Sequence, residues 1–288
     1  MKKSKTNLQP IACIGLFVYN GENYLEESIK SLLSQSFESF ELIISDNASS
    51  DGTQNICEKY ALLDSRIRYY RQETNIGIFN NFRFVKEKGT HAKYFMWAAH
   101  DDLWDKNWLE VLIANFKVGD LSLRGTVINI NENGSTLWKT NIQSFKKNQV
   151  VKTFLDNESH GRGFYWYGLF DNQLLQKIDL TSLDNVFGSD TYFITSLVQY
   201  GNLRVVEGTN QYYRQHTMST TKKFSKDWLG LRRYIYHTFP ISPYLYCLRI
   251  VKPKYKPLIL LAIPIKYVKS IFLQIIKLLR LIFTGRKY

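Results

Sequence analysis

Tyr94-Phe95-Met96-Trp97-Ala98-Ala99-His100-Asp101-Asp102 is a short apolar run that stops on two adjacent carboxylates. Read as a strand, it carries both acids to the carboxyl edge of a sheet. A carboxylate pair there has two uses. It can hold a divalent cation, which in turn holds a diphosphate. Alternatively, the acids cap the helix that follows, since Asp is a favoured N-cap residue. The segments on either side show what kind of sheet this is.

Upstream, Ile11 to Val18 is an apolar run ending at the turn signal Tyr19-Asn20-Gly21. Glu22 to Ser36 carries Leu25, Ile29, Leu32 and Leu33 at helical spacing. Phe40 to Ser45 reads as a second strand and stops at Asp46-Asn47-Ala48-Ser49-Ser50-Asp51-Gly52-Thr53, with a helix to about Leu62. Ile67 to Arg71 is a third strand, followed by Asn75-Ile76-Gly77 and a helix near Phe79–Lys88. Strands alternating with helices predict βαβ units and a mostly parallel sheet. Ligands bind at the carboxyl ends of such strands, and Tyr19-Asn20, Asp46-Asn47, Asn75–Gly77 and Asp101-Asp102 all fall there. Helix capping explains each motif singly but not their convergence on one rim. Gly125–Val150 reads as strand and loop with weak periodicity.

The 288 residues suffice for one large α/β domain or two modest ones, and 44% hydrophobic with 22% charged is a globular composition. Cys13, Cys57 and Cys247 are too scattered for a metal cluster and too few for a disulfide framework, which predicts a reducing compartment. Met1–Pro10 is polar and basic without an apolar h-region, so it does not read as a secretory signal. The net charge of +13 is uneven. Thr221–Tyr288 holds fifteen Lys or Arg and one acid, Asp227, while the first 220 residues are nearly neutral. The expected organisation is a polar tail (1–10), an α/β domain (11–220) and a basic helical region (221–288). A uniformly basic nucleic-acid binder is not divided this way.

The ordered motifs resemble a known family. Ile14-Gly-Leu-Phe-Val-Tyr-Asn-Gly-Glu-Asn-Tyr-Leu-Glu26, then Ser34-Gln-Ser-Phe37, then Leu42-Ile-Ile-Ser-Asp-Asn-Ala-Ser-Ser-Asp-Gly-Thr53 is similar to the start of family 2 glycosyltransferases of the bacterial surface-polysaccharide type. The likeness covers roughly Ile11–Phe116 and, more loosely, 160–220. It implies the GT-A fold, a nucleotide-diphospho-sugar donor, Mg²⁺ or Mn²⁺, and inversion at the anomeric carbon. It also implies that Tyr19, Asn20 and Glu22 belong to the first nucleotide-contacting loop. Asp46 would read the nucleobase with Asn47 beside it, and Asn75 and Gly77 would pass under the nucleotide. Asp51, in the Asp-Gly-Thr turn, is either a helix cap or a ligand contact. Ala99-His100-Asp101 aligns with the Asp-X-Asp signature, making Asp101 the implied metal ligand, with Asp102 either a ligand itself or directly behind one. Ala99 replaces the first Asp, which usually helps hold the ribose. Phe17 stands where many relatives have Pro, a packing change.

Gly188-Ser189-Asp190 resembles the segment that supplies the catalytic base. Asp190 also begins an amphipathic run, so a helix start is the other reading; Asp184 is the second candidate for the base. Tyr213-Arg214-Gln215-His216, followed by Ser219, resembles the late Arg-X-His element. This implies Arg214 on diphosphate oxygens and His216 on the metal or the leaving phosphate. His91, His160 and His237 have no such context. Tyr165, Trp166 and Tyr167 could stack on an acceptor sugar, but core packing is the plainer use.

In the tail, Leu258 to Phe283 is apolar but interrupted by Lys266, Lys269, Lys277 and Arg280, which argues against a transmembrane helix. At 100° per residue the four cations share a face roughly 80° wide. Ile263, Ile265, Val268, Ile271, Phe272, Ile275, Ile276, Leu279 and Ile282 fill much of the remainder, and Pro264 marks a first turn or a kink. This predicts a helix in a membrane interface at 252–288, apolar side down and cations toward anionic headgroups. The other reading is a helix docked on the domain with a solvated cationic stripe. The expected setting is the cytoplasmic face of the membrane, near a saccharide acceptor that is lipid-linked by family analogy. Three other functions compete. A nucleotidyltransferase usually has a Gly-rich basic loop, which Leu16–Gly21 lacks. A nucleic-acid binder would need a recognition signature that the tail does not show. A non-catalytic sugar-nucleotide binder is made possible by Ala99.

Overall fold

The structure, a computed structural model, describes residues 9–156, 163–182, 189–216 and 241–284. Its first half follows the βαβ reading: β1 (Ala12–Val18), α1 (Leu25–Leu33), β2 (Phe40–Asp46), α2 (Thr53–Leu63), β3 (Ile67–Arg71), α3 (Ile78–Lys88) and β4 (Tyr94–Ala99). β1 lies between β2 and β4, and β2 lies beside β3, all parallel. The register aligns the strand ends. Val18 is opposite Asp46, Asp46 opposite Arg71, and Phe17 opposite Ala99. The four predicted loops therefore open on one edge.

The central strands β1 and β4 are almost wholly apolar because helices cover both faces of the sheet there. Alternate residues point to opposite sides. Ala12, Ile14, Leu16, Met96 and Ala98 pack on one face, and Cys13, Ile43, Phe95 and Trp97 on the other. Trp97 stacks on Phe82 at 4.2 Å between ring centroids and donates its indole N–H to the Phe82 carbonyl at 2.9 Å. Tyr165 and Trp166 lie in the same core, 2% and 4% exposed, which rules out an acceptor-stacking role for these two in this structure. All three cysteines are free and buried.

The second half is mixed. β5 (Leu103–Trp104) and α4 (Trp108–Asn115) precede a long strand, β6 (Asp120–Ile130), which turns back as β7 (Thr136–Thr140). This hairpin occupies the region of weak periodicity. Beyond α5 (Val150–Asp156) come β8 (Leu169–Asp171), α6 (Asn172–Leu175), α7 (Ser189–Leu197) and β9 (Asn202–Arg214). The strand order is β3-β2-β1-β4-β8-β6-β9-β5, with β7 on β6. β8 runs antiparallel to β4 and β6, whereas β9 is parallel to β6. One pairing matters most for the site. β5 runs antiparallel to the end of β9, with Leu103 opposite Tyr212. It returns residues 211–216 to the acidic pair that precedes β5.

α8 (Ile241–Ile250) and α9 (Lys256–Thr284) follow. Tyr244, Cys247, Val251, Tyr255, Ile259 and Ala262 join the core that contains Trp97. Pro264 lies inside α9. The predicted cationic outer face is corrected here. Lys266 is 1% exposed, with its ammonium on the Leu155 carbonyl at 3.3 Å and over the Phe154 ring. Lys269 pairs with Asp156 at 2.8 Å. Both lysines meet the C-terminal end of α5, where open carbonyls favour cations. The side chains of Lys277 and Arg280 lie outside the described residues. Among the described residues no helix is long and apolar enough to cross a membrane.

Candidate active site

Two strand-end loops are stitched together at the rim. The Asn20 N–H donates to Ser49 Oγ at 2.9 Å, and Asn20 Oδ1 accepts from Ser50 N–H at 2.9 Å. Asn20 holds a left-handed φ of 50°, which Asn tolerates better than most residues. Glu22 Oε2 accepts from Gly52 N–H at 2.7 Å. Asp51 accepts from Thr53 N–H and Glu22 N–H, each at 3.1 Å. These acids meet the otherwise unpaired N–H groups at the start of α2. Of the two readings of Asp51, the structure shows the cap. Tyr19 stands out from this loop, 47% exposed.

Asp46 is fully buried. Its Oδ1 accepts from Ser49 N–H at 2.9 Å, and its Oδ2 accepts from Tyr69 Oη at 3.0 Å and from Arg71. In this structure the carboxylate is turned into its own loop. What reaches the rim instead is Arg71, exposed and held by Asp46 and the Ser49 carbonyl. The sequence reading passed over Arg71. The signal was available, because pairing β2 with β3 in register sets it opposite Asp46.

Asn47 spans to the next loop. Its Nδ2 donates to Asn75 Oδ1 at 3.0 Å and its Oδ1 accepts from Ile76 N–H at 2.9 Å. Asn75 Oδ1 also accepts from Gly77 N–H at 2.9 Å. Gly77 sits at φ 83° and ψ 159°, a conformation open essentially only to glycine. Nothing lies within 4 Å of where a Cβ would be. Gly77→Ala therefore meets no clash and isolates the backbone strain. The expected loss is about 1–3 kcal/mol of stability, read by urea unfolding.

The acidic pair divides. Asp101 and His216 come together across 115 residues, Oδ2 to Nε2 at 2.8 Å. The His216 ring packs on Tyr24 with centroids 4.9 Å apart, and its Nδ1 is buried without a partner among the described residues. Burial pushes the Asp101 carboxyl up, but His100 and His216 outweigh it and hold the group below its usual value. His100 reaches this spot because Gly21 has no side chain; a Cβ there would lie 2.6 Å from the imidazole.

Asp102 turns inward instead and is fully buried. Its Oδ1 accepts from Arg214 N–H at 3.1 Å and its Oδ2 from Gln211 Nε2 at 2.7 Å. Gln211 Oε1 in turn accepts from the buried Arg124 guanidinium at 2.8 Å. Burial, reinforced by the Asp101 charge, pushes the Asp102 carboxyl well up. Each oxygen carries one hydrogen bond, and together they tie β9 to the rim. Asp102→Ala strands two buried donors. It is expected to cost about 2–4 kcal/mol of unfolding free energy, measured by chemical denaturation.

Arg214 is likewise internal, 3% exposed. It donates to the Asp101 carbonyl at 3.0 Å, the Glu132 carbonyl at 2.8 Å and Glu27 Oε2 at 2.6 Å, and it lies over the Tyr24 ring. In these contacts it joins α1, the β6–β7 turn and the acidic loop. Ala99, 8% exposed, keeps its carbonyl on Ser28 Oγ at 3.2 Å. Asp190 is the second residue of α7; its side chain, and Asp184, Gly188, Ser219, His160 and His237, lie outside the described residues.

Among the described residues no cluster of three or more His, Cys, Asp or Glu is placed to hold a metal. The Asp101–His216 pair fits a different arrangement. One or two protein ligands together with substrate phosphates is how Mg²⁺ is usually held, and imidazole with carboxylate also suits Mn²⁺.

Fold and rim define an α/β protein of the GT-A type, with an acid–imidazole pair where the parallel strands end. Comparison with known proteins agrees. The model for "Glycosyl transferase family 2" matches residues 13–179, more than half of the chain, and the chain belongs to that family. The putative teichuronic acid biosynthesis glycosyltransferase TuaG of Bacillus subtilis is 34% identical over 107 residues, 36% of this chain and 41% of TuaG. This chain spans less than two thirds of the length of the curated relatives it matches, 30% for the uncharacterized glycosyltransferase RT0329 of Rickettsia typhi. S. aureus TarS 1–349 in complex with UDP-GlcNAc has a TM-score of 0.58 at 15% identity, over 90% of this chain and 88% of that one. The mannosyltransferase PcManGT from Pyrobaculum calidifontis, in complex with GDP-Man and Mn²⁺, has 0.56 at 13%, over 92% and 74%. At these identities the likeness is one of fold.

Proposed function

We propose that this protein is an inverting glycosyltransferase. It moves a sugar from a nucleotide-diphospho-sugar to a hydroxyl of a lipid-linked saccharide in cell-surface polysaccharide assembly, at the cytoplasmic face of the membrane. The observation that carries the reading is the Asp101–His216 pair at the edge where four strand-end loops meet. UDP-GlcNAc on TarS, GDP-Man and Mn²⁺ on PcManGT and the teichuronic acid assignment of TuaG support it by analogy.

In this reading Tyr19, Asn20, Glu22, Asn75 and Gly77 border the donor. Asp46 and Asn47 act one step behind, by setting the loops and Arg71. Asp101 and His216 are the groups that would hold Mg²⁺ or Mn²⁺, which when bound neutralises the diphosphate as a Lewis acid. Arg214 and Asp102 keep that pair in place; the guanidinium fixes the Asp101 backbone while the Asp102 carboxylate fixes the end of β9. Orienting the donor on a prebuilt rim lowers the entropy cost of reaction. Asp190 accepts the proton of the acceptor hydroxyl as that oxygen attacks the anomeric carbon from the face opposite the leaving diphosphate.

The test is a panel of sugar nucleotides, scored for binding and hydrolysis with and without Mn²⁺. One donor is expected to bind and turn over, and to lose both with EDTA. Unchanged ligand uptake and turnover in EDTA-stripped protein would sink the metal-dependent reading. Ala99 favours a second reading, a sugar-nucleotide binder without catalysis, and binding with no hydrolysis or transfer on any donor would select it.

A further inference from the structure

α9 carries Lys266 and Lys269 against the protein and a row of large apolar side chains outward. Leu258, Leu261, Ile265, Val268, Phe272 and Ile275 are 48–74% exposed. Their spacing of three and four residues keeps them on one side of the helix. At a rise of 1.5 Å per residue the stripe runs for about 25 Å. The opposite side, Ile259, Ala262 and Lys266, is buried. The rotation of the helix about its axis is set by two polar anchors, Lys266 on the Leu155 carbonyl and Lys269 on Asp156. An amphipathic helix docked on a protein ordinarily buries its apolar stripe and solvates its cations. Here Lys266 is buried beside Ile259 and Ala262, while six large apolar side chains face outward. The outward stripe therefore needs a cover from outside the chain.

We infer that this stripe is the face by which the protein lies on an anionic lipid bilayer. The inference rests on the proposed function only for what the bilayer would carry, a lipid-linked acceptor. Charge selects the occupant. Lys252, Lys254 and Lys256, all exposed, lead into the stripe, and residues 252–288 hold nine Lys or Arg and no acid. Anionic headgroups attract such a segment while the apolar stripe enters the acyl boundary. A second copy docked stripe to stripe would bring two such cationic segments together, and like charges repel. No described helix is long and apolar enough to cross a membrane, so α9 lies along the surface. The geometry departs from a simple interfacial helix. The headgroup contacts come from the lysines at its start, and Lys266 and Lys269 serve as internal anchors.

The test is flotation of the full chain with vesicles of phosphatidylcholine and phosphatidylglycerol, compared with phosphatidylcholine alone. The protein is expected to float with the anionic vesicles and much less with the neutral ones. The triple variant Leu261→Ser, Ile265→Ser, Phe272→Ser leaves the net charge unchanged, and its bound-to-free ratio should fall at least about tenfold. Circular dichroism and the thermal midpoint check its fold. Should the triple variant not fold, Ile265→Trp alone serves: its fluorescence is expected to be quenched by brominated acyl chains. Three results overturn the inference: no flotation of the unmodified protein, equal flotation of a folded triple variant, or an unquenched Trp. A dimer in sedimentation that the triple variant dissolves, with flotation unchanged, assigns the stripe to a second copy. Donor binding measured by calorimetry on the same preparations keeps the two readings apart. Flotation without donor binding leaves the membrane face standing and removes the transferase. Donor binding without flotation does the opposite.

Discussion

Asp190→Asn is expected to lower sugar transfer by about 10²–10⁴-fold, the usual contribution of a positioned general base. Nucleotide-sugar affinity should be unchanged. The substitution also separates the two readings of this residue. At the second position of α7 an acid gains about 0.3–1 kcal/mol from the helix dipole, which Asn forgoes. If Asp190 only helps start α7, the Asn variant keeps its turnover and loses no more than about 1 kcal/mol of stability. If it is the base, turnover collapses whatever that small change, because an amide does not take up the acceptor's proton at neutral pH. Steady-state transfer, donor calorimetry and a melting curve on one preparation decide the matter. Substantial turnover by Asp190→Asn would show that the base lies elsewhere, with Asp184 the next to test.

Asp101→Asn is expected to cost about 10²–10³-fold in transfer, on the scale of one lost electrostatic contact to charge developing in the transition state. It should also remove the effect of EDTA on donor affinity, since the anionic member of the Asp101–His216 pair is gone. His216→Ala should reproduce part of the loss. The double variant is expected to fall well short of the product of the two single effects, because the residues touch at 2.8 Å and act together. Losses that multiply independently would mean that the two residues do not act as one site. Asp102→Ala gives the contrast. Its main effect falls on unfolding free energy, whereas Asp101→Asn is expected to leave stability nearly intact.

Local pattern carried most of the first half of the chain. β3 and β4 run as read, Ile67–Arg71 and Tyr94–Ala99, β4 as an apolar run buried on both faces and β3 as a β-branched and aromatic edge strand between turn residues. The rim was legible for a related reason. Glycine, Asn, Asp and Ser collect where strands end, and parallel topology brings those ends to one edge. Asp51 shows both the reach and the limit of this kind of reading. The Asp-Gly-Thr spacing pointed to a cap or a ligand contact, and the choice lay in where Glu22 and Thr53 present their N–H groups.

What the chain could not announce locally are orientations decided by distant partners. Asp101 and Asp102 are neighbours of identical chemistry. One faces His216 and the other turns to Arg214 N–H and Gln211, because β9 returns to β5 more than a hundred residues later. Nothing local to Arg214 announced that the Asp101 and Glu132 carbonyls and Glu27 would hold it. In α9, periodicity determined that there would be an apolar face and a cationic one. Which face the protein covers was settled by the core that takes Ile259 and Ala262, together with the carbonyl and carboxylate at the end of α5. An amphipathic helix carries two faces in its sequence, but the polarity of what it packs against lies elsewhere in the chain.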